Sequence, residues 1–295
     1  MPKRLFILLA ASAVVAISLA HAQQKTDVTP APSYREDADW NRRHPGLDTD
    51  VSLYLNQWRD SPPHEGHGGL VEREILRRGD PFKPAQKGAV LRFLKTYNQA
   101  ELAGGAETRD YSDPREQVFL YVMNGRGTLT IKDKAVALED GSAVVIPPGI
   151  TYRLKNPGLA PLELLLAAEE TPADFVPNRT ISVGRCGDSL PLLGAHWAHI
   201  ARPFIYDIEP KFRNPMGFVP VSIDEFDIAQ PHSHPAAAEE IWLQVKGRSL
   251  LLLGNRLFNQ EPGEAFLVPP NNLVPHSSIN AGGEPMLWLF FGCRK

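Results

Sequence analysis

Histidine is missing from the middle of this chain: none occurs between Gly68 and Ala195. No site built on imidazoles can therefore come from that stretch alone. Cysteine is scarce as well, with only Cys186 and Cys293, so one disulfide is the most the chain can form. An excess of positive charge is also absent. The 31 Lys and Arg are scattered among 34 Asp and Glu, giving a net charge of −3 and a pI near 6.3. Nucleic-acid binding calls for a basic patch or stripe, and there is neither that nor a charged tail. At 43% hydrophobic and 22% charged residues the composition is that of a globular protein. A chain of 295 residues has room for two modest domains.

The one long apolar run is N-terminal. Lys3 and Arg4 precede Leu5–Ala20, and Ala20-His21-Ala22 forms a small-x-small site. That is the layout of a cleaved export signal, and the run falls short of the ~20 residues that span a bilayer. Residues 1–22 are expected to be removed, leaving a periplasmic or extracellular protein without stable membrane insertion. No cysteine near the cleavage point offers a lipid attachment site. Loss of Lys3 and Arg4 takes the net charge from −3 to −5. In an oxidising compartment a disulfide persists. A Cys186–Cys293 bridge would tie the tail to the segment between the domains, with two buried thiols as the alternative.

Residues 23–84 are rich in Pro, Asp, Arg and Gly and read as an irregular arm with at most a short helix. His64-Glu65-Gly66-His67 looks like a metal motif, but its Pro and Gly neighbours favour a polar turn. From Ala89 short β-rich runs follow one another: 89–97, 117–123, 127–131, 142–146, 152–154 and 162–168. Turn signals such as Asn124-Gly125 and Pro147-Pro148-Gly149 separate them. Short strands at this spacing indicate an all-β sandwich or barrel. A second series covers 217–223, 240–245, 249–253, 264–268 and 286–291. Asn124-Gly125-Arg126 aligns with Lys246-Gly247-Arg248, and Gly141 through Pro147-Pro148 with Gly263 through Pro269-Pro270, a period of about 122 residues. The chain is thus a duplicated domain, 85–170 and 205–295, joined by a linker over 171–204.

Chemistry concentrates in the second copy. Residues two apart in a strand share a face, so His232 and His234 can aim both rings at one point. Glu239 and Glu240 open the next strand, and His276 follows Pro269-Pro270 in the return. Three imidazoles and one carboxylate on neighbouring strands can surround a divalent transition metal. The same alternation puts Trp242 and Gln244 beside Glu240, and Ser278 and Asn280 beside His276, as candidate pocket residues. In the linker, His199 is a candidate to support the metal ligands from outside.

This pattern resembles the cupin superfamily over roughly residues 85–295, as two jelly-roll β-barrels in tandem. Its first motif, G-x5-H-x-H-x(3,4)-E-x6-G, is met by His232, His234, Glu240 and Gly247, with Phe226 in place of the first Gly. Forward counting favours Glu239 as the carboxylate and backward counting from Gly247 favours Glu240. Glu240 is preferred, because the turn before it can vary more easily than the strand after it. The second motif, G-x5-P-x-G-x2-H-x3-N, is met by Gly263, Pro269, Asn271, His276 and Asn280, with two extra residues before the His. In the first copy Gly141, Pro147, Gly149 and Asn156 keep the second motif, but Tyr152 stands for the His. Arg109–Asp113 replaces the H-x-H, and Glu116-Gln117 lies near the carboxylate position. That copy is expected to be degenerate and free of transition metal.

The resemblance implies one divalent ion (Fe, Mn, Zn or Ni) and a small, oxygen-rich organic substrate. It favours a dioxygenase-like oxidoreductase, with an oxalate-decarboxylase-like lyase or an isomerase as further options. A non-catalytic metal- or ligand-binding module is the alternative outside the enzymes. Cupin barrels often pair through outer strands, which extends to a homo-oligomer here.

Overall fold

A strand without polar residues to turn outward needs cover on both faces, and Val118-Phe119-Leu120-Tyr121-Val122 is such a strand. In the computed structural model it lies inside a large antiparallel sheet with barrel interior on one side and the other barrel on the second. Residues 50–188, 192–193, 195–204, 211–212, 217–233, 238–270 and 274–294 are described. They belong to a single compact unit, Gly46–Lys295.

The large sheet of the first barrel runs in the order Ser182–Arg185, Ser142–Ile146, Glu116–Asn124, Leu162–Glu170, Leu94–Leu102, Leu70–Arg78, His64–Gly66. A small sheet of Arg153–Lys155, Arg126–Ile131 and Lys134–Glu139 closes it. The second barrel repeats the plan with Leu55–Gln57, Glu264–Leu267, Ala238–Lys246, Met286–Arg294, Phe218–Ile223, His199–Ile200 and Leu192–Leu193. Its small sheet is Arg256–Gln260, Ser249–Leu253 and His276–Ile279. Even the isolated bridges correspond, Tyr111 to Tyr152 in one copy and His232 to His276 in the other. The chain is therefore all-β, two jelly rolls in tandem, as the duplicated motifs imply.

Strand alternation assigns the two cores. Val118, Leu120, Val122, Leu164 and Leu166 fill the first barrel. Phe119, Tyr121, Leu165 and Ala167 point the other way and join the core of the second. Phe119 meets Phe218 at 4.5 Å and Phe291 at 5.4 Å between ring centroids, and Tyr121 meets Phe218 at 5.3 Å. The barrels thus pack through their large sheets.

The arm is more ordered than its Pro- and Gly-rich composition implies. Asp50 caps a single 3₁₀ turn, Val51–Tyr54, through the Ser52 N–H at 3.1 Å. Leu55–Gln57 then pairs with Glu264–Leu267 of the second barrel, whereas Leu70–Arg78 pairs with Leu94–Leu102 of the first. One segment straps both barrels. Gly263 permits this: its φ is +88°, and a Cβ there would lie 2.3 Å from the Trp58 ring nitrogen. The linker does the same further on, Ser182–Arg185 pairing with the first barrel and His199–Ile200 with the second.

The expected export signal lies outside the described residues, as does the side chain of Cys293. The Cys186 sulfur lies 4.0 Å from the Tyr121 hydroxyl, and the Cys186–Cys293 bridge stays a proposal. Among the described residues no helix is long and apolar enough to cross a membrane.

Candidate metal centre

Two strands and one bridging segment of the second barrel bring three donors together. His276 opens the strand His276–Ile279, the His232 backbone bridges to it, and Glu240 comes from Ala238–Lys246. The ligand atoms of His232, Glu240 and His276 all lie within 4.8 Å of one another. The His276 Nε2 is 3.4 Å from the Glu240 Oε1, and the two imidazole rings are 4.3 Å apart. Glu240 and His276 are buried, while His232 is half-buried. His234 lies outside the described residues.

The donors are aimed by neighbours. Trp242 Nε1–H donates to Glu240 Oε1 at 2.7 Å. The Gln230 carbonyl lies 2.8 Å from His232 Nδ1. A carbonyl can only accept, so Nδ1 carries the proton and Nε2 keeps its lone pair for a ligand bond. Bonds of this kind orient metal ligands. Two imidazoles and a carboxylate, buried and pre-aimed, fit a single divalent transition metal.

Alternation settles which glutamate joins the cluster. Glu240, Trp242 and Gln244 face inward, and Glu239 faces the other barrel. There it accepts the backbone N–H groups of Arg92, Phe93 and, at 3.0 Å, Leu94. Burial pushes the Glu239 carboxyl up to about 7, although those N–H bonds pull it down. Glu239 is a latch between barrels. Phe226, standing where the motif has Gly, adopts φ 56° and is 77% exposed, so the turn forms without the glycine.

The candidate pocket residues divide. Trp242 is buried wall, edge-on to His276 at 5.0 Å and stacked on Trp288 at 5.1 Å. Gln244 and Asn280 commit their amide N–H groups to backbone carbonyls, while the Gln244 Oε1 is buried without a hydrogen-bond partner among the described residues. The Gln244 amide donates to the carbonyls of Lys246 at 2.8 Å and Gly247 at 3.3 Å. The Asn280 amide donates to Asp224 and Glu284 carbonyls, both at 2.8 Å, and its Oδ1 accepts from Gly282 at 3.0 Å. Asn156 does the same in the first barrel, donating to Leu102 and Ala160. The motif Asn therefore fixes a turn in both copies. Ser278 is buried beside His276 on the inward face, and its hydroxyl has no hydrogen-bond partner among the described residues. His199 is turned to the surface, 3.0 Å from Asp224 Oδ2. The linker histidine at the metal centre is instead His196, whose ring stacks on His232 at 4.1 Å.

In the first barrel, Tyr111 and Tyr152 take the places of His232 and His276, and Val118 that of Glu240 by register. Beside them is a buried ionic network. His67 bridges two carboxylates, Nδ1 to Glu72 at 2.7 Å and Nε2 to Glu116 at 3.1 Å. Lys95 reaches Glu116 at 2.6 Å, Tyr111 donates to it at 3.1 Å, and Asn98 donates to Glu72 at 2.8 Å. Burial alone would lower the His67 pKa, but the bonds from Glu116 and Glu72 outweigh it and raise it to about 9. Burial likewise works against the Glu116 charge, yet His67 and Lys95 hold it down at about 2. Where a polar turn is expected, His64–Gly66 is instead a strand paired with Leu70–Arg78, the turn follows at Gly68-Gly69 (φ 84° and 117°), and His67 between them is a buried cation in the first barrel. Nothing in the local sequence marks this, since Glu116 lies 49 residues away.

Two jelly rolls with matching strand order and one buried His/Glu cluster define a tandem cupin. The family described as Cupin domain (Cupin_2) matches twice, over residues 98–168 and 222–292. The chain belongs to the cupin superfamily and is a bicupin. Among solved structures it resembles oxalate decarboxylase. A deletion mutant of the Bacillus subtilis enzyme superimposes with TM-score 0.60 and 15% identity over 84% of this chain and 78% of that one. The same enzyme, from work on its Mn(II) centres, gives 0.60 and 16% over the same shares. A further oxalate decarboxylase structure, concerned with its substrate binding mode, gives 0.62 and 15%, again over 84% and 78%. No curated protein matches in sequence.

Proposed function

We propose that this bicupin is an exported enzyme whose second barrel holds one divalent metal through His232, His234, Glu240 and His276 and acts on a small, oxygen-rich organic molecule. The buried convergence of His232, Glu240 and His276 carries this reading. When bound, the metal supplies Lewis acidity and open coordination positions for a chelating substrate. The chain's own part is to orient and to exclude water. Trp242 holds the Glu240 carboxylate, the Gln230 carbonyl sets the His232 tautomer, and Phe266, 5.5 Å from Trp242, helps keep the wall dry.

The reaction proposed is oxidative, of the dioxygenase type. Decarboxylation of a small dicarboxylate is the second reading, favoured by a two-barrel architecture shared with oxalate decarboxylase. Oxygen uptake and CO₂ release, measured over oxalate, catechols, flavonols and β-diketones, separate the two. Uptake of O₂ supports the first, and CO₂ release without net O₂ loss the second. Metal-loaded protein inert to the whole panel would leave a binding module. Turnover that survives in a His232→Ala, His276→Ala double variant would place the chemistry elsewhere. Export is checked by the mass of the mature protein, expected to begin near Gln23.

A further inference from the structure

His232 lies outside any strand, and its backbone bridges to His276 with N–H to carbonyl distances of 3.2 and 2.9 Å. The linker adds a support that keeps its ring aimed. The His196 carbonyl accepts the Gln230 N–H at 2.8 Å, and the Gln230 carbonyl in turn holds the His232 Nδ1 at 2.8 Å. Above this relay the His196 ring lies nearly flat on the His232 ring, 4.1 Å away with an interplanar angle of 10°. His276 packs against the His232 ring as well, at 4.3 Å and a 53° tilt. The His232 ring is thus gripped by both imidazoles.

Holding His196 there distorts the chain. His196 and the following Trp197 both sit in the left-handed region, at φ 69° and 58°, and neither is glycine. Residues with a Cβ adopt this conformation in tandem only where the surroundings over-determine it. Among the described residues, His196 meets Gln230 and His232 there. Trp197 itself is 57% exposed, so its burial does not explain the strain.

We propose that His196 is a positioning residue of the metal centre: its stacked ring and its carbonyl fix the His232 imidazole so that Nε2 faces Glu240 and His276. The inference rests on the metal reading of the second barrel. It makes the linker part of the site, not a mere connection between the two copies.

The test titrates Mn²⁺ alone into metal-free wild-type protein and its H196N, H196G and H196F variants, by calorimetry and by the electron paramagnetic resonance of bound Mn²⁺. Asn and Gly both accept the left-handed backbone and lack the ring. H196F keeps a flat ring without its nitrogens. Loss of a supporting contact of this kind weakens metal binding by roughly 10–100-fold. That loss is expected in H196N and H196G, with a changed Mn²⁺ spectrum but no fall in the melting temperature of the metal-free protein. H196F is expected to recover most of the affinity. Wild-type affinity in both ring-less variants would overturn the proposal. So would H196F binding as weakly as H196N, since a nitrogen of His196 would then be what matters. Wild-type protein that takes up no Mn²⁺ would instead defeat the metal reading itself.

Discussion

At the scale of single residues, the second barrel is organised around side chains that support the donors. Trp242 is the clearest case, because its indole N–H is committed to Glu240 at 2.7 Å. Trp242→Phe keeps an aromatic wall but removes that bond. Metal affinity should fall by roughly 10–100-fold, as for other contacts behind a metal ligand, and competition calorimetry reads the change. His67 plays a different part in the first barrel. Its folded-state pKa of about 9 lies above the ordinary 6.5, so its stabilisation is complete below about pH 6.5 and is lost as pH rises through about 9. Glu116, held at about 2 against an ordinary 4.5, contributes above about pH 4.5 and loses that contribution as pH falls towards 2. Melting temperature against pH should show a plateau between these limits. His67→Gln should lower the plateau and flatten the alkaline limb. An unchanged alkaline limb in the variant would show that His67 is not the group responsible.

These residues also mark what a sequence can and cannot say. His232, Glu240 and His276 were legible because donor type and strand alternation are local properties. The motif around them supplied the strand order. Glu239 and Glu240 were separable in principle by the same alternation, once the strand frame was fixed by Gly247. His67 was not legible, since its partners Glu72 and Glu116 meet it only after the arm strand Leu70–Arg78 joins the first barrel. His199 is the linker candidate in the sequence, but two left-handed residues at His196 and Trp197 bring His196, not His199, onto His232.

At the scale of elements, turns and strand faces do the specifying. The turn at Phe226 forms in the left-handed region despite the side chain, which is mostly in solvent. Gly adopts this conformation without the ~1–2 kcal/mol incurred by a residue with a Cβ, against ~0.5–1 kcal/mol of extra chain entropy. Phe226→Gly should therefore raise stability by up to about 1 kcal/mol in urea unfolding. A loss of that size would mean that the ring has a packing role. The strand Glu116–Asn124 read as continuous hydrophobicity, and its double burial follows from Phe119 and Tyr121 meeting Phe218. Which surface would cover its outer face was beyond reach, because the partner strand lies about 100 residues away.

At the scale of the whole molecule, two barrels of common plan have diverged in what they hold. One gathers His232, Glu240 and His276, and the other replaces those places with Tyr111, Val118 and Tyr152 and keeps an internal cation, His67. They share the core around Phe119 and are cross-strapped by the arm, the linker and Glu239. The barrels should accordingly unfold in one transition. Phe119→Ala, which empties a position only 1% exposed, should cost ~3–5 kcal/mol and affect both barrels. Two separate transitions in the wild-type protein would contradict that coupling.

The division of labour between the barrels is tested most directly by metal content. Elemental analysis of purified wild-type protein should find one equivalent of a divalent transition metal per chain. A Glu240→Gln, His276→Ala double variant that melts as a folded protein should find none. Two equivalents in the wild-type protein, or one retained by the double variant, would place metal outside the second barrel.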